Sequence, residues 1–247
     1  QNHLEMSVML GSSSGVGNNV LVTNNEIYGK LSISSCSETV ISGNRIYSRG
    51  WSSNNAIAIS GNANLTIERN LLSSITTDGR GDIIIRNNTF VPWGHTDYAL
   101  HHDSDAVLDF YNNIIYGDGD CAIVKSRRER EASIHHNLYW EVSELFINVE
   151  PGERNIEGKP QFVGGRDYDY NLQVISPAID AGDPDSPEDP DGTRADIGCH
   201  FFDQRIDHNP VIVSRIRDYA KQGGNFTYIA RGTDDGDELT YGFANLP

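Results

Sequence analysis

An asparagine returns six times in one local frame: Asn25, Asn44, Asn70, Asn88, Asn113 and Asn137. Five residues before these stand Val20, Thr39, Leu65, Ile83, Leu108 and Ala132. Three before stand Val22, Ile41, Ile67, Ile85, Phe110 and Ile134, and two after stand Ile27, Ile46, Leu72, Phe90, Ile115 and Tyr139. The spacings between successive asparagines are 19, 26, 18, 25 and 24 residues. A unit this short cannot bury its apolar side alone, so copies of it must stack into one continuous core.

Counting from the asparagine as zero, positions −5 and −3 lie on one face of a strand, because side chains alternate. Positions −3 and +2 are five apart, which breaks the alternation and requires a corner between them. Asparagine tolerates the left-handed αL conformation, so it is expected to occupy that corner itself. Its amide can also bond the next asparagine one coil away, forming a ladder. A third strand recurs upstream, with Leu31, Ile57, Ile75, Leu100 and Val124 at −13 and Ile33, Ile59, Thr77, His102 and Ser126 at −11. Between them, at −12 and facing outward, stand Ser32, Ala58, Thr76, His101 and Lys125. Coils stacked about 4.8 Å apart with variable bulges predict an all-β, right-handed parallel β-helix of about six or more coils over residues 1–154. Neither a leucine-rich consensus nor the longer four-stranded blades of a propeller are present.

The hydrophobic share is only 37%, which suits a thin-walled solenoid with many corners. A net charge of −16 with no broad basic stripe argues against nucleic acid as a partner. No apolar run of about 18 residues is present to span a membrane. Repeat-like sequence begins almost at Gln1, and the chain reads as an excerpt of a longer protein with further domains. Cys36, Cys121 and Cys199 are scattered and offer neither a metal-binding spacing nor a disulfide framework.

After Trp140 the repeat fades, and from Asn155 a different pattern begins. Pro160 to Phe162, Asp169 to Leu172, Ser176 to Gly182, Asp189 to Gly192 and Arg194 to Gly198 read P-x-F, D-Y-x-L, SPAIDAG, D-x-D-G and R-x-D-I-G. This series resembles the C-terminal end of a large family of bacterial and archaeal right-handed parallel β-helix repeat proteins, a pectate-lyase-like solenoid class. The resemblance implies that residues 155–202 cap the solenoid, whose open end would otherwise expose strand edges and apolar interior. Cys199-His200 departs from the small and aromatic residues usual there. A polar linker, 203–209, follows. Residues 210–247 resemble the opening strands of a cadherin-like or immunoglobulin-like module, with alternation at Phe226, Tyr228 and Ala230 and again at Leu239 and Tyr241. A sandwich normally needs about seven strands, so this module is partial. The resemblances imply a secreted or cell-surface protein whose partner is a polysaccharide or a cell-surface glycan.

The outward column gives the candidate chemistry. It places His101 beside Lys125, Asp103 beside Arg127 and Ser104 beside Arg128 on adjacent coils. On such walls related β-helix lyases and hydrolases carry their sites. β-Elimination of a uronate needs its carboxylate neutralised and a base to remove the C5 proton. His101 or Lys125 would be the base and Arg127 or Arg128 the neutralising group. The alternative is a solvated ion pair between Asp103 and Arg127, which would contribute little stability. A glycoside hydrolase needs carboxylates at a defined separation, and Asp103, Asp105 and Asp109 lack matching acids on the adjoining coils. Trp93, Tyr98 and Trp140 are candidates for stacking on sugar rings, or for packing against loops. Asp183, Asp185, Asp189 and Asp191 offer hard oxygen ligands for Ca²⁺ without the EF-hand spacing. They also read as solvated acidic turns. Two functions stay open: a carbohydrate-interacting β-helix with lyase-like chemistry, or a non-enzymatic adhesin or surface scaffold.

Overall fold

The asparagine frame becomes three parallel sheets that the chain visits in turn. The computed structural model describes residues 3–4, 8–11, 19–34, 36, 38–47, 56–62, 64–91, 98–103, 106–117, 122–126, 132–142, 144–164, 169–208, 211–212 and 232–233. Among these, no helix occurs.

The leading wall holds the strands that precede each asparagine: Val20–Thr23, Glu38–Ser42, Asn64–Glu68, Asp82–Arg86, Val107–Tyr111 and Ala132–His135. The trailing wall holds those that follow it, from His3–Leu4 and Glu26–Tyr28 to Leu138–Trp140 and Ile156–Glu157, eight in all. The third wall has seven strands, from Val8–Gly11 and Leu31–Ser34 through Tyr98–His102 and Ala122–Ser126 to Glu144–Ile147. Every neighbouring pair within these walls is parallel, so the described residues of this part are all-β, in three long parallel sheets consistent with a parallel β-helix-like solenoid.

The registers reproduce the sequence columns. Ile83 pairs with Leu65 and Leu108, and Ile85 with Ile67 and Phe110. Ile75 pairs with Ile57 and Leu100, and Leu100 with Val124. Ile41, Ile67, Ile85, Phe110, Ile27, Ile46, Leu31, Ile57 and Ile75 are fully buried and fill one continuous core. The inner −11 line of the third wall turns polar at Thr77 and His102, where Thr77 Oγ1 and His102 Nδ1 lie 2.8 Å apart inside the tube.

The ladder forms as expected and runs one rung further. The backbone N–H of each asparagine donates to Oδ1 of the next at 2.9–3.1 Å, from Asn25 through Asn137 to Asn155. Each Nδ2 donates to the same oxygen at 3.0–3.1 Å. From Asn44 to Asn137 it also donates to the carbonyl two residues back and to one on the preceding coil, as Asn113 does to Tyr111 and Ile85. Asn155 escapes the sequence frame because Glu150 and Gly152 stand at its −5 and −3 positions.

The expectation that the ladder asparagine takes the left-handed corner is corrected. The αL residue is the one before it: Asn24, Gly43, Arg69, Asn87, Asn112, His136 and Arg154, all with φ between 51° and 67°. The reason is spatial. The corner residue turns the chain, and the next residue then projects its amide inward, where the ladder replaces water.

From Leu172 to Phe202 the chain packs along the trailing wall. Cys199 N–H donates to Thr89 Oγ1 at 3.0 Å, Gly198 N–H to the Asn112 carbonyl at 2.8 Å and Asp183 N–H to Asn112 Oδ1 at 2.7 Å. Asn87 Nδ2 donates to the Asp196 carbonyl at 2.9 Å. These contacts fall on the flank of several successive coils. The outward +1 column explains the site of docking. It begins charged, with Glu26 and Arg45, and then turns to Leu71, Thr89, Ile114 and Leu138, all of them buried. Ile114 and Leu138 join Leu172, Ala178, Ile197 and Phe202 in a second core, and Leu71 packs with Val91 and Cys199.

Beyond residue 208 the described part is one antiparallel pair, Val211–Ile212 with Gly232–Thr233. Phe226, Tyr228, Ala230, Leu239 and Tyr241 lie outside the described residues.

Candidate functional site

On the third wall the strand Tyr98–His102 lies beside Ala122–Ser126, with His101 opposite Lys125 and His102 opposite Ser126. Leu31, Ile57, Ile75 and Leu100 at −13 and Ile33, Ile59, Thr77 and His102 at −11 are buried, while Ser32, Ala58, Thr76 and His101 at −12 are only half-buried, so the column lies on the outer face. The His101 ring packs against Tyr98, with centroids 5.0 Å apart. Asp103 is half-buried, and its N–H donates to the Thr77 carbonyl at 2.8 Å. Thus the register sets His101 beside the backbone of Lys125, and Tyr98 packs on the His101 ring. Arg127, Arg128, Ser104 and Asp105 lie outside the described residues, as do Trp93 and Cys121. Trp140 stands on a different sheet from Tyr98, in register with Tyr116 on the trailing wall.

The acidic residues of the tail spend their oxygens on the backbone. Asp183 Oδ1 accepts from Asp185 N–H at 2.9 Å, and Asp191 Oδ1 accepts from Thr193 Oγ1 at 2.8 Å and Thr193 N–H at 3.1 Å. Asp191 Oδ2 accepts from Gln204 N–H at 3.0 Å. Asp189 is buried, accepts from Asp196 N–H at 2.7 Å and faces Arg69 at 3.5 Å. Burial pushes its carboxyl above the usual range. Asp183, Asp189 and Asp191 therefore each accept from backbone N–H groups, and among the described residues Asp183, Asp185, Asp189 and Asp191 do not form one group whose ligand atoms converge within 4.8 Å.

Asp196 carries a pH dependence. Its oxygens accept from Asp180 N–H at 2.7 Å and Phe202 N–H at 2.6 Å, which favours the charged form. Burial outweighs these bonds and pushes the carboxyl from 3.8 up to about 7. The folded chain thus keeps a proton that the unfolded chain releases near pH 3.8, so this contribution to stability is largest in acid and is lost as pH rises through about 7. Between pH 5 and pH 8 the wild type should lose on the order of 2–3 kcal/mol relative to Asp196→Asn. Urea unfolding of both proteins at the two pH values measures it, and parallel profiles would refute it.

A different cluster escapes the sequence reading. The outward −2 column of the leading wall runs Glu68, Arg86, Tyr111, His135. Arg86 pairs with Glu68 at 2.8 Å and donates to Tyr111 Oη at 3.2 Å, and Tyr111 stacks on the His135 ring with centroids 5.1 Å apart. His135 Nε2 lies 3.2 Å from Asp109 Oδ1, a contact that raises the imidazole above its ordinary value. His135 Nδ1 lies 2.9 Å from His136 Nδ1 and 3.6 Å from Asp183 Oδ2. His136 sits in the αL corner, is 8% exposed, and is lowered by its burial. Among the described residues, His135, His136 and Asp183 are the one group of three or more His, Cys, Asp or Glu side chains whose ligand atoms converge within 4.8 Å.

The chain matches no family model, no curated protein and no solved structure. The fold and the geometry of these two places therefore carry the functional argument.

Cys199 is buried and free, and its thiol is pushed up to about 11 by that burial, which makes it unreactive in the folded chain. Cys36 is also buried and free. Among the described residues, no helix is long and apolar enough to cross a membrane.

Proposed function

We propose that this chain is a right-handed parallel β-helix of a secreted or cell-surface protein that engages an acidic polysaccharide along its third wall. The observation that carries the reading is the register of His101 with Lys125, which brings two basic residues together on adjacent coils of a chain whose net charge is −16. Elsewhere in that column stand Ser32, Ala58 and Thr76, so the basic pair is local. Tyr98 against the His101 ring adds an aromatic surface on the same strand, the kind of surface on which sugar rings stack. A cation and an imidazole are also groups that β-elimination of a uronate uses: one neutralises the carboxylate and the other takes the C5 proton, as the C4–O bond breaks, a C4=C5 double bond forms and the departing sugar hydroxyl takes up a proton. Lyase chemistry is the sharper form of the reading, with Arg127 and Arg128 as the further cations.

A second reading is a non-enzymatic adhesin or scaffold. It is favoured by the unbroken ladder from Asn25 to Asn155 and by the tail bound along the flank, both of which suit a rigid spacer. Fold alone decides neither. The test is gel retardation on a panel of uronate polysaccharides, read together with the absorbance of unsaturated product. The expected result is retardation on at least one acidic polymer, weakened at least tenfold by Lys125→Ala and by His101→Ala. Absorbance that rises in the wild type and not in these variants supports the lyase form. No retardation on any acidic polymer would overturn the carbohydrate reading and leave the scaffold.

A further inference from the structure

We propose that His135, His136 and Asp183 form a binding site for one divalent transition-metal ion of the zinc class, which clamps the C-terminal tail to the solenoid. The proposal is independent of the third wall and its polysaccharide. His135 and His136 come from the corner before the Asn137 rung, whereas Asp183 comes from the tail, so an ion held by all three joins the two parts.

The distances suit an ion. Histidine nitrogens bind zinc at about 2.0–2.1 Å, so at the tetrahedral angle two of them stand about 3.3 Å apart, and the pair here need open by only roughly 0.4 Å to admit the ion. His135 Nδ1 and His136 Nδ1 are 2.9 Å apart, and the rings meet edge to face at 83°. Asp183 Oδ2 lies 3.6 Å from His135 Nδ1, on the third side of the same space. Without an ion, one proton must lie between the two Nδ1 atoms for them to approach so closely. With an ion, both lone pairs are used.

Each ligand is already held in position. His135 Nε2 is turned to the Asp109 carboxylate at 3.2 Å, the carboxylate–histidine arrangement that orients a metal-binding imidazole. The flat stack on Tyr111, at 5°, fixes the ring plane. Asp183 uses Oδ1 to accept from Asp185 N–H, its own N–H donates to Asn112 Oδ1, and Oδ2 is left facing the histidines. His136 is held by its αL backbone, whose N–H donates to the Glu153 carbonyl at 3.3 Å. The side chains of His135 and Asp183 are 20% and 17% exposed, so an ion reaches the site from solvent and water completes its coordination. Two imidazoles and one carboxylate select zinc and its first-row neighbours over calcium and magnesium, which prefer oxygen.

The test uses the full chain after treatment with a chelator. Calorimetric titration with zinc chloride should give one ion per chain, and calcium chloride should neither bind there nor displace the zinc. Cobalt(II) should give visible ligand-field bands that zinc abolishes. His135→Gln and Asp183→Asn should each weaken zinc at least tenfold, while Asp185→Asn should leave it unchanged. Asparagine at 183 retains the Oδ1 acceptor that orders the turn, so that variant separates loss of the ligand from loss of the fold. Zinc should also slow tryptic cleavage at Arg194 in the wild type and not in Asp183→Asn. Absence of stoichiometric zinc binding would leave a hydrogen-bonded histidine pair only and would overturn the proposal. Binding that survives both His135→Gln and Asp183→Asn would overturn it equally, because the ion would then lie elsewhere.

Discussion

Asn113→Ala should lower the unfolding free energy by on the order of 3–5 kcal/mol, the effect expected of a fully buried rung. Asn113 is fully buried, and its Oδ1 accepts from both the N–H and the Nδ2 of Asn88, at 2.9 and 3.0 Å. The two hydrogens of its own Nδ2 are shared among the Ile85 and Tyr111 carbonyls and Asn137 Oδ1. Alanine leaves the Asn88 N–H buried with no acceptor, which alone costs about 1–3 kcal/mol, and removes several further bonds worth about 1 kcal/mol each. Asn25 is a half-buried rung near the start of the ladder, so Asn25→Ala should cost only about 1 kcal/mol. Asn113→Asp separates hydrogen bonding from volume. It keeps one acceptor but sets a charged oxygen against the Ile85 and Tyr111 carbonyls and Asn137 Oδ1, and should destabilise at least as much as alanine. Urea unfolding of the three variants decides the matter. Equal losses for Asn25→Ala and Asn113→Ala would show that the ladder is not what holds the coils in register.

The interior of this molecule was legible because a solenoid repeats its inner columns at every coil. Leu65, Ile83 and Leu108 recur at one position, and recurrence plus alternation fixes both face and register. The corner was displaced by one residue because the pattern shows that parity breaks, but not which residue takes the positive φ. Both Asn112 and Asn113 suit αL, and only packing decides that Asn113 goes inward. Asn155 was lost because Glu150 and Gly152 stand at −5 and −3, where the frame asks for apolar residues. The docking stripe was written in the sequence as Leu71, Ile114 and Leu138 at an outward position, a signal that only a reading of the +1 column reveals. The histidine cluster was not. His135-His136 looks like two exposed corner residues until the tail carries Asp183 back to them, and no repeat frame predicts where a non-repeating segment returns. Of the third-wall patch, the register of His101 with Lys125 follows from the frame, whereas the roles assigned to them rest on chemistry.

Gly198→Val should detach the tail while leaving the coils intact. Gly198 has φ +109°, a conformation that valine adopts only under strain. A Cβ there would stand 2.6 Å from Ile114 Cδ1, 3.1 Å from its Cγ1 and 3.2 Å from Thr89 Oγ1. Ile114 is 1% exposed and sits under the tail, so it has no room to withdraw. The same glycine donates its N–H to the Asn112 carbonyl, and the next residue donates to Thr89, so the strain falls where the tail is tied to two coils. Strain and overpacking together should cost roughly 2–4 kcal/mol, enough to compete with the docking of so short a segment. The ladder is untouched, because each coil depends chiefly on its neighbours. Cys199 is the reporter: buried in the wild type, it becomes accessible when the tail lifts, whereas Cys36 stays inside the tube. The variant should therefore gain a fast-reacting thiol that mass spectrometry maps to Cys199, with an unchanged far-ultraviolet strand signal. Ile114→Ala in the same chain opens space for the new side chain and should restore part of the protection, a coupling expected only of residues in contact. If Cys199 stays protected in Gly198→Val, the tail is held by something other than this close approach.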